Sequence, residues 1–494
     1  MILEPRIVAV TAGRVPYLQR RTMVRYRGNI RACLRNLCKP VVHRLKFAAT
    51  RFCPCQSDIV MIKTLSFLLA AVWFFTAASA ARQPAVAVKG YDYPITDAYE
   101  ATVVGTPPKY QADLPKKIPV KEARLKVFED REVPDFLWYE AELRYSYALQ
   151  KGPAPLVFVI AGTGAAHNSA KNLVVGKAFY EAGFHVVALS SPTLPNFVVA
   201  ASKTSVVGHA TKDAEDLYRV MELIWDRLKK KAEVTNFFVT GYSLGGFNTA
   251  FVTLLDEKRK VFNFKAALLI NPPLNLYSSI SLLDRMLENI PGGPDNFPQY
   301  YNDLVTKFSK VYKRADRLDF NEEFLYDVYQ EFKPRDEELA ALIGLSFRFS
   351  SAHLAFTSDV MTDFGYIKPK NVTLTRNSSP GDYVKVAYRL GFTDYFHEFF
   401  YPFYKARDPS LTRERLVEEM SLTHIEDYLR NSKKIFVIHN ANDVILEPGQ
   451  IDFFPRVFGD RARIYPTGGH CGNMTDKRVV GYMLNVFKSL VRRP

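Results

Sequence analysis

The sequence predicts an α/β protein: a mostly parallel central sheet, helices on both faces, and a large helical insertion before the last strands. Three observations predict it. Short continuous apolar runs, at 156–160, 184–189 and 264–270, read as strands buried on both sides. They alternate with helix-period segments, the pattern of parallel strands joined by helical crossovers. One further run, 237–240, leads into Gly241-Tyr242-Ser243-Leu244-Gly245-Gly246 and then a helical stretch, so a serine sits at a sharp strand-to-helix turn.

Size and charge narrow the function. With 494 residues, 48% of them hydrophobic, the chain can bury a large core and still carry an insertion or a second domain. The formal net charge is +15, but residues 1–60 supply +10 of it, with 12 Lys and Arg against Glu4 and Asp58. The remainder is near neutral, which argues against a nucleic-acid partner. Residues 61–80 begin with Met61, carry Lys63 before an apolar run at 65–78, and end in Ala78-Ser79-Ala80, the anatomy of a secretory signal peptide. The expectation is an exported protein, periplasmic or secreted, translated from Met61 and maturing at Ala81, with 1–60 a spurious or disordered basic extension. Two alternatives stand beside it: a transit peptide, or an uncleaved signal anchor behind a basic cytoplasmic arm. Cys33, Cys38, Cys53 and Cys55 lie in this leader beside a solitary His43, without the paired spacing of a metal site. Downstream only Cys471 remains, so no disulfide can form within the mature chain.

Taken in order, 81–123 is rich in Pro, Tyr and small residues and reads as an extended arm without visible chemistry. Residues 124–273 form the first part of the core. Alternating strands are expected at 124–129 and 143–149, a turn at 151–155, and then the buried strand 156–160 with Ala161-Gly162-Thr163-Gly164 after it. A helix at 171–182 stops at Gly183, and strand 184–189 leads to a loop at 192–208. Thr211 can cap a helix reaching about residue 231, with Leu217, Val220, Met221, Ile224 and Leu228 on one face. Strand 264–270 ends at Asn271-Pro272-Pro273. Residues 274–431 are too long for a connection and read as a helical cap, with amphipathic segments at 281–289, 302–312, 322–332 and 337–347. An aromatic stretch at 383–404 reads as core packing, or as an apolar lid facing substrate or a membrane surface. Residues 432–494 complete the core: strand 434–439, a turn or short helix at 449–458, strand 461–465 and a closing helix at 476–491.

A serine hydroxyl needs a positioned base, and that base needs an orienting acid. Ser243, Asp443 and His470 each follow a buried strand, and in a parallel sheet such loops emerge along one edge. Asp452, Asp460 and His439 compete for these roles from less suitable places. Oxyanion stabilisation calls for backbone N–H groups: Leu244 directly after the nucleophile, and Thr163 or Gly164 in the loop after strand 156–160. Gly241 and Gly245 flank the turn because a Cβ there would strike neighbouring backbone. No G-K-[ST] follows Gly162-Thr163-Gly164, so this is not a phosphate loop.

These motifs resemble the α/β-hydrolase superfamily over 124–270 and 434–491, with Ala161 standing where many members have histidine. The resemblance implies acyl transfer by Ser243, His470 and Asp443 without metal or organic cofactor. The expected substrate is a small-molecule carboxylic ester or lipid. A peptidase on the same scaffold, using Asp319, Glu322 or Glu323 to hold an α-amine, is the alternative; a non-catalytic binding protein is another. Three N-x-[ST] sequences, at Asn371, Asn377 and Asn473, carry no meaning if the protein belongs to a bacterial envelope.

Overall fold

The computed structural model describes residues 88, 90–290 and 332–491, with 292, 293, 296, 299, 300, 302, 303, 306 and 329 between them. The extension 1–60 with its four cysteines and His43, the signal segment 61–80, most of cap segments 302–312 and 322–332, and Asp319, Glu322 and Glu323 lie outside the described residues.

Eight described strands form one sheet: β1 Lys121–Leu125, β2 Leu143–Ala148, β3 Ala154–Ile160, β4 His185–Leu189, β5 Val234–Tyr242, β6 Ala266–Ile270, β7 Ile435–Asn440 and β8 Ala462–Tyr465. Their order across the sheet is β1-β2-β4-β3-β5-β6-β7-β8. β2 runs antiparallel to both β1 and β4, and all later pairs are parallel. Strands β3, β4 and β6 are buried at every position, which is why they read as unbroken apolar runs. Their faces nevertheless divide by the two-residue period. Val157 and Val159 enter one core with helices α2 (Ala170–Glu181) and α7 (Lys477–Lys488). Leu156, Phe158 and Ile160 enter the other, with α3 (Ala210–Leu228) and α4 (Leu244–Arg259).

Several expectations shift. β1 begins three residues early and ends at Leu125, so 126–129 is not strand. The expected loop 192–208 contains a short helix, Pro195–Ala200, opened by a proline at its first position, where a missing N–H costs nothing. Helix α3 starts at Ala210 with His209 rather than Thr211 at its cap. No side-chain cap bond is made to its first turn; Asp213 instead accepts the N–H of Gly208, the residue before the cap, at 2.9 Å. The arm also holds regular structure, α1 (Ala98–Val104), capped by Asp97 accepting from the Glu100 N–H.

Between β6 and β7 the described elements are helical, apart from one bridge joining Asn275 to Ser421. They include α5 (Leu276–Arg285) and α6 (Asp336–Thr362). Residues 392–405 form one helix whose middle, Tyr395–Phe400, is π-helical. Pro402 has no N–H with which to continue an α-helical ladder, and the Tyr401 N–H reaches back five residues to Phe396. Among the described residues only α6 is long and apolar enough to cross a membrane, and 61% of its apolar window is buried inside the protein. It packs as a core helix of the cap.

Candidate active site

The carboxyl ends of β5, β6, β7 and β8 lie side by side, with Tyr242 opposite Ile270 and Asn440 opposite Tyr465. Ser243 follows β5 at φ 55° and ψ −127°, a strained conformation for a residue with a side chain. Its N–H bonds the Ile270 carbonyl at 2.8 Å, and α4 starts at the next residue. Close packing explains the glycines. A Cβ on Gly241 would overlap the Gly245 carbonyl, and one on Gly245 would overlap that of Ile160. One on Gly246 would stand 3.0 Å from the carbonyls of Gly241 and Ile270.

His470 Nε2 lies 2.8 Å from Ser243 Oγ, and its Nδ1 lies 3.0 Å from both carboxylate oxygens of Asp443. All three side chains are buried. Asp443 also accepts from the Ile445 N–H at 3.1 Å and from Asn271 Nδ2 at 2.8 Å. Burial disfavours the charged imidazolium of His470 more than any one neighbour favours it, but Asp443 and Cys471 together outweigh burial and raise the pKa. Burial would likewise raise the carboxyl of Asp443, and His470, with His439 and the Ile445 N–H, reverses that, holding it below the ordinary value. The tautomer follows: Nδ1–H faces Asp443, leaving Nε2 to accept the serine proton. His439 is fully buried; its Nε2 donates to the Pro272 carbonyl at 3.0 Å while its Nδ1 accepts from the Asn440 N–H. Burial lowers its pKa, so it stands neutral in the core. Asp452 and Asp460 are exposed, away from this cluster.

With this strand order, an antiparallel β2 and a serine elbow leaving β5, the architecture is decided. The fold is that of the α/β-hydrolases. No family model matches the sequence, and no curated protein does. Solved structures similar to this chain include a thioesterase domain from the curacin biosynthetic pathway, with 12% identity, a TM-score of 0.34, and 75% of this chain and 99% of that one covered. An esterase from Pyrococcus furiosus shows 10% identity, a TM-score of 0.37 and coverage of 76% and 92%. The proline iminopeptidase of Mycobacterium smegmatis shows 11% identity, a TM-score of 0.35 and coverage of 75% and 98%. The assignment rests on strand order and elbow, not on these scores.

Within the α/β-hydrolase frame, the two candidates for the second oxyanion donor separate. The Gly164 N–H is already bonded to Thr193 Oγ1 at 2.8 Å. Gly164, at φ 68°, therefore shapes the loop, a correction to its expected role as donor. The Thr163 N–H has no partner among the described residues and belongs to a residue at the pocket wall. Leu244 opens α4, so its N–H has no intrahelical partner either.

A pocket with a cavity volume of about 70 Å³ adjoins Ser243 and Leu244. Its wall comes from the sheet edge, α5, α6 and the π-helical turn, and among the described residues it contains no charged side chain. Three wall hydroxyls are already engaged: Ser279 with the Ile445 carbonyl at 2.7 Å, Tyr395 with that of Val207 at 3.1 Å, and Thr193 with Gly164 and Ser191. Of the aromatic stretch 383–404, Phe392, Tyr395, Phe396 and Phe400 face this pocket and are buried.

Sequence reasoning missed Asn271. It stands at the same strand edge as Ser243, but its neighbouring prolines made it look only like a strand terminator. Asn473 is fully buried and bonded to Tyr91 and Asn440, whereas Asn371 and Asn377 are exposed on the cap. Among the described residues no cluster of three or more His, Cys, Asp or Glu could hold a metal.

Proposed function

We propose that this protein is a serine hydrolase that cleaves carboxylic esters bearing an apolar acyl group. The observation that carries the reading is a hydroxyl 2.8 Å from an imidazole that is itself held by a buried carboxylate, at one end of an apolar pocket. Ser243 passes its proton to His470 Nε2 and attacks the ester carbonyl. The oxyanion takes the N–H groups of Leu244 and Thr163. His470 returns the proton to the departing alcohol, and a water molecule repeats the sequence to free Ser243. Asp443 stays ionised and compensates the transient imidazolium.

The pocket favours esters over aminoacyl amides, because an α-ammonium group would meet no carboxylate on its described wall. Export is part of the same proposal, supported by residues 61–80 and checked by the mass of the mature N-terminus at Ala81.

Ser243→Ala is expected to lower hydrolysis of p-nitrophenyl butyrate by at least about 1,000-fold with the folded state intact by circular dichroism. Wild-type turnover by that variant would remove the reading. Failure of a fluorophosphonate to label Ser243 in the wild type would favour a binding protein instead.

A further inference from the structure

The segment 91–112 brings no charged or nucleophilic group to Ser243, yet it lies against the loop that presents His470. We propose that this segment is a strap that positions His470, with Thr102 as its central positioning residue. The proposal rests on the serine-hydrolase reading above.

The loop from Pro466 to Thr475 has little structure of its own. Gly468, Gly469 and Cys471 all have positive φ, and a single turn bond joins the Gly472 N–H to Gly468. From the sheet side, Asn440 Nδ2 donates to the Gly469 carbonyl at 2.8 Å and pairs with the Asn473 side chain; the strap supplies further order from the N-terminal side of the chain. Thr102 Oγ1 accepts the His470 N–H at 2.8 Å and donates to the Ala98 carbonyl at 2.6 Å, which fixes its lone pairs toward the histidine. Thr106 Oγ1 donates to the Gly472 carbonyl at 2.9 Å. Tyr91 donates its hydroxyl to the Thr467 carbonyl at 2.8 Å, and the Ala112 N–H bonds that of Thr475 at 2.8 Å. The loop's glycines make this approach possible: a Cβ on Gly469 would overlap the Ala98 carbonyl, and one on Gly472 that of Ala101.

The same strap holds the acid. Asn442, next to Asp443, donates to the Thr96 carbonyl at 3.1 Å and accepts the Gly469 N–H at 3.0 Å. From the same helix, Tyr99 and Val103 pack with Ile445 and with Ile343 of α6. A seven-residue helix thus touches the histidine loop, the acid loop and the cap. Misplacing a catalytic group by about 1 Å costs on the order of 100-fold in rate, so this seating has kinetic weight.

The test compares Thr102→Val with Thr102→Ser in the chain from Ala81, using p-nitrophenyl butyrate and counting active sites by fluorophosphonate labelling at endpoint. Thr102→Val is expected to lower kcat per labelled site about 10- to 100-fold, with KM within about twofold. Thr102→Ser keeps the acceptor and is expected to stay within about threefold of wild type. If Thr102→Val does not fold, Thr106→Val gives the same split with a smaller fall in kcat. Unchanged kcat with only a lower Tm, or a Ser variant as impaired as the Val variant, overturns the strap while leaving the hydrolase intact. A wild type that neither turns over nor labels removes the hydrolase reading and this inference with it.

Discussion

Asp443 accepts from three neighbours, His470, Asn271 and the Ile445 N–H, and none of its side-chain surface is left to water. That explains why two histidines so near each other behave oppositely. His470 faces the carboxylate squarely and its pKa rises from 6.5, whereas burial dominates at His439 and lowers it. The sign matters for rate. The base must be neutral, so the acid limb of kcat/KM is expected above pH 6.5. Asp443→Asn removes the charge that raised it. Burial then prevails, the limb moves below 6.5, and kcat falls by about 1,000- to 10,000-fold. A pH–rate profile of the two proteins checks both. For stability, the His470 contribution is present below 6.5 and lost as pH rises through its folded pKa; that of Asp443 is present above 3.8 and lost as pH falls through its own. The positions of Ser243, Asp443 and His470 were legible because each follows an apolar run. Asn271 and Thr193 were not, since a lone polar residue in a loop gives no periodic signal.

At the scale of elements, glycine spacing told more than propensity did. The elbow is readable because Gly241 and Gly245 have no room for a side chain. The strap helix α1 is not, because seven residues span two turns and show no convincing 3.6 period. The start of α3 is hidden for a related reason: its cap residue, His209, is not one of the usual capping residues. Asp213 is fully buried and burial raises its pKa well above 3.8, against the lowering effect of the Gly208 N–H. A carboxyl with a raised folded pKa favours the native state at low pH and disfavours it as pH climbs through that pKa. Asp213→Asn keeps an acceptor for Gly208 without the charge. Its stability relative to wild type is expected to grow from pH 5 to pH 8, by up to about 1.4 kcal/mol for each pH unit crossed. Denaturant titrations of both proteins at the two pH values measure this.

Over the whole molecule, the alternation of buried runs and helices was enough to foresee a parallel sheet with helices on both faces. The lateral order of the strands was not legible, because crossovers leave no mark in a single sequence. The pocket is also a property of the whole. Its wall is assembled from stretches hundreds of residues apart, so no local motif announces it. Because the described wall is mostly apolar, each methylene added to a linear acyl group is expected to raise kcat/KM about fourfold until the space is full. A p-nitrophenyl series from acetate to decanoate measures it. Leu354→Trp, filling the wall from α6, is expected to move the optimum to shorter chains, and a flat series would show that the acyl group goes elsewhere. Aminoacyl p-nitroanilides are expected to react at least about 100-fold more slowly.

Cys471 is 2% exposed, adjoins the base, and is the single cysteine among the described residues. Its side chain packs in the core with Ala161, Val175 and Tyr242, so an alkylating reagent can reach it only when the histidine loop lifts out of that core. Its rate of modification, followed by peptide mass, is therefore a built-in clock for how often that corner of the protein breathes.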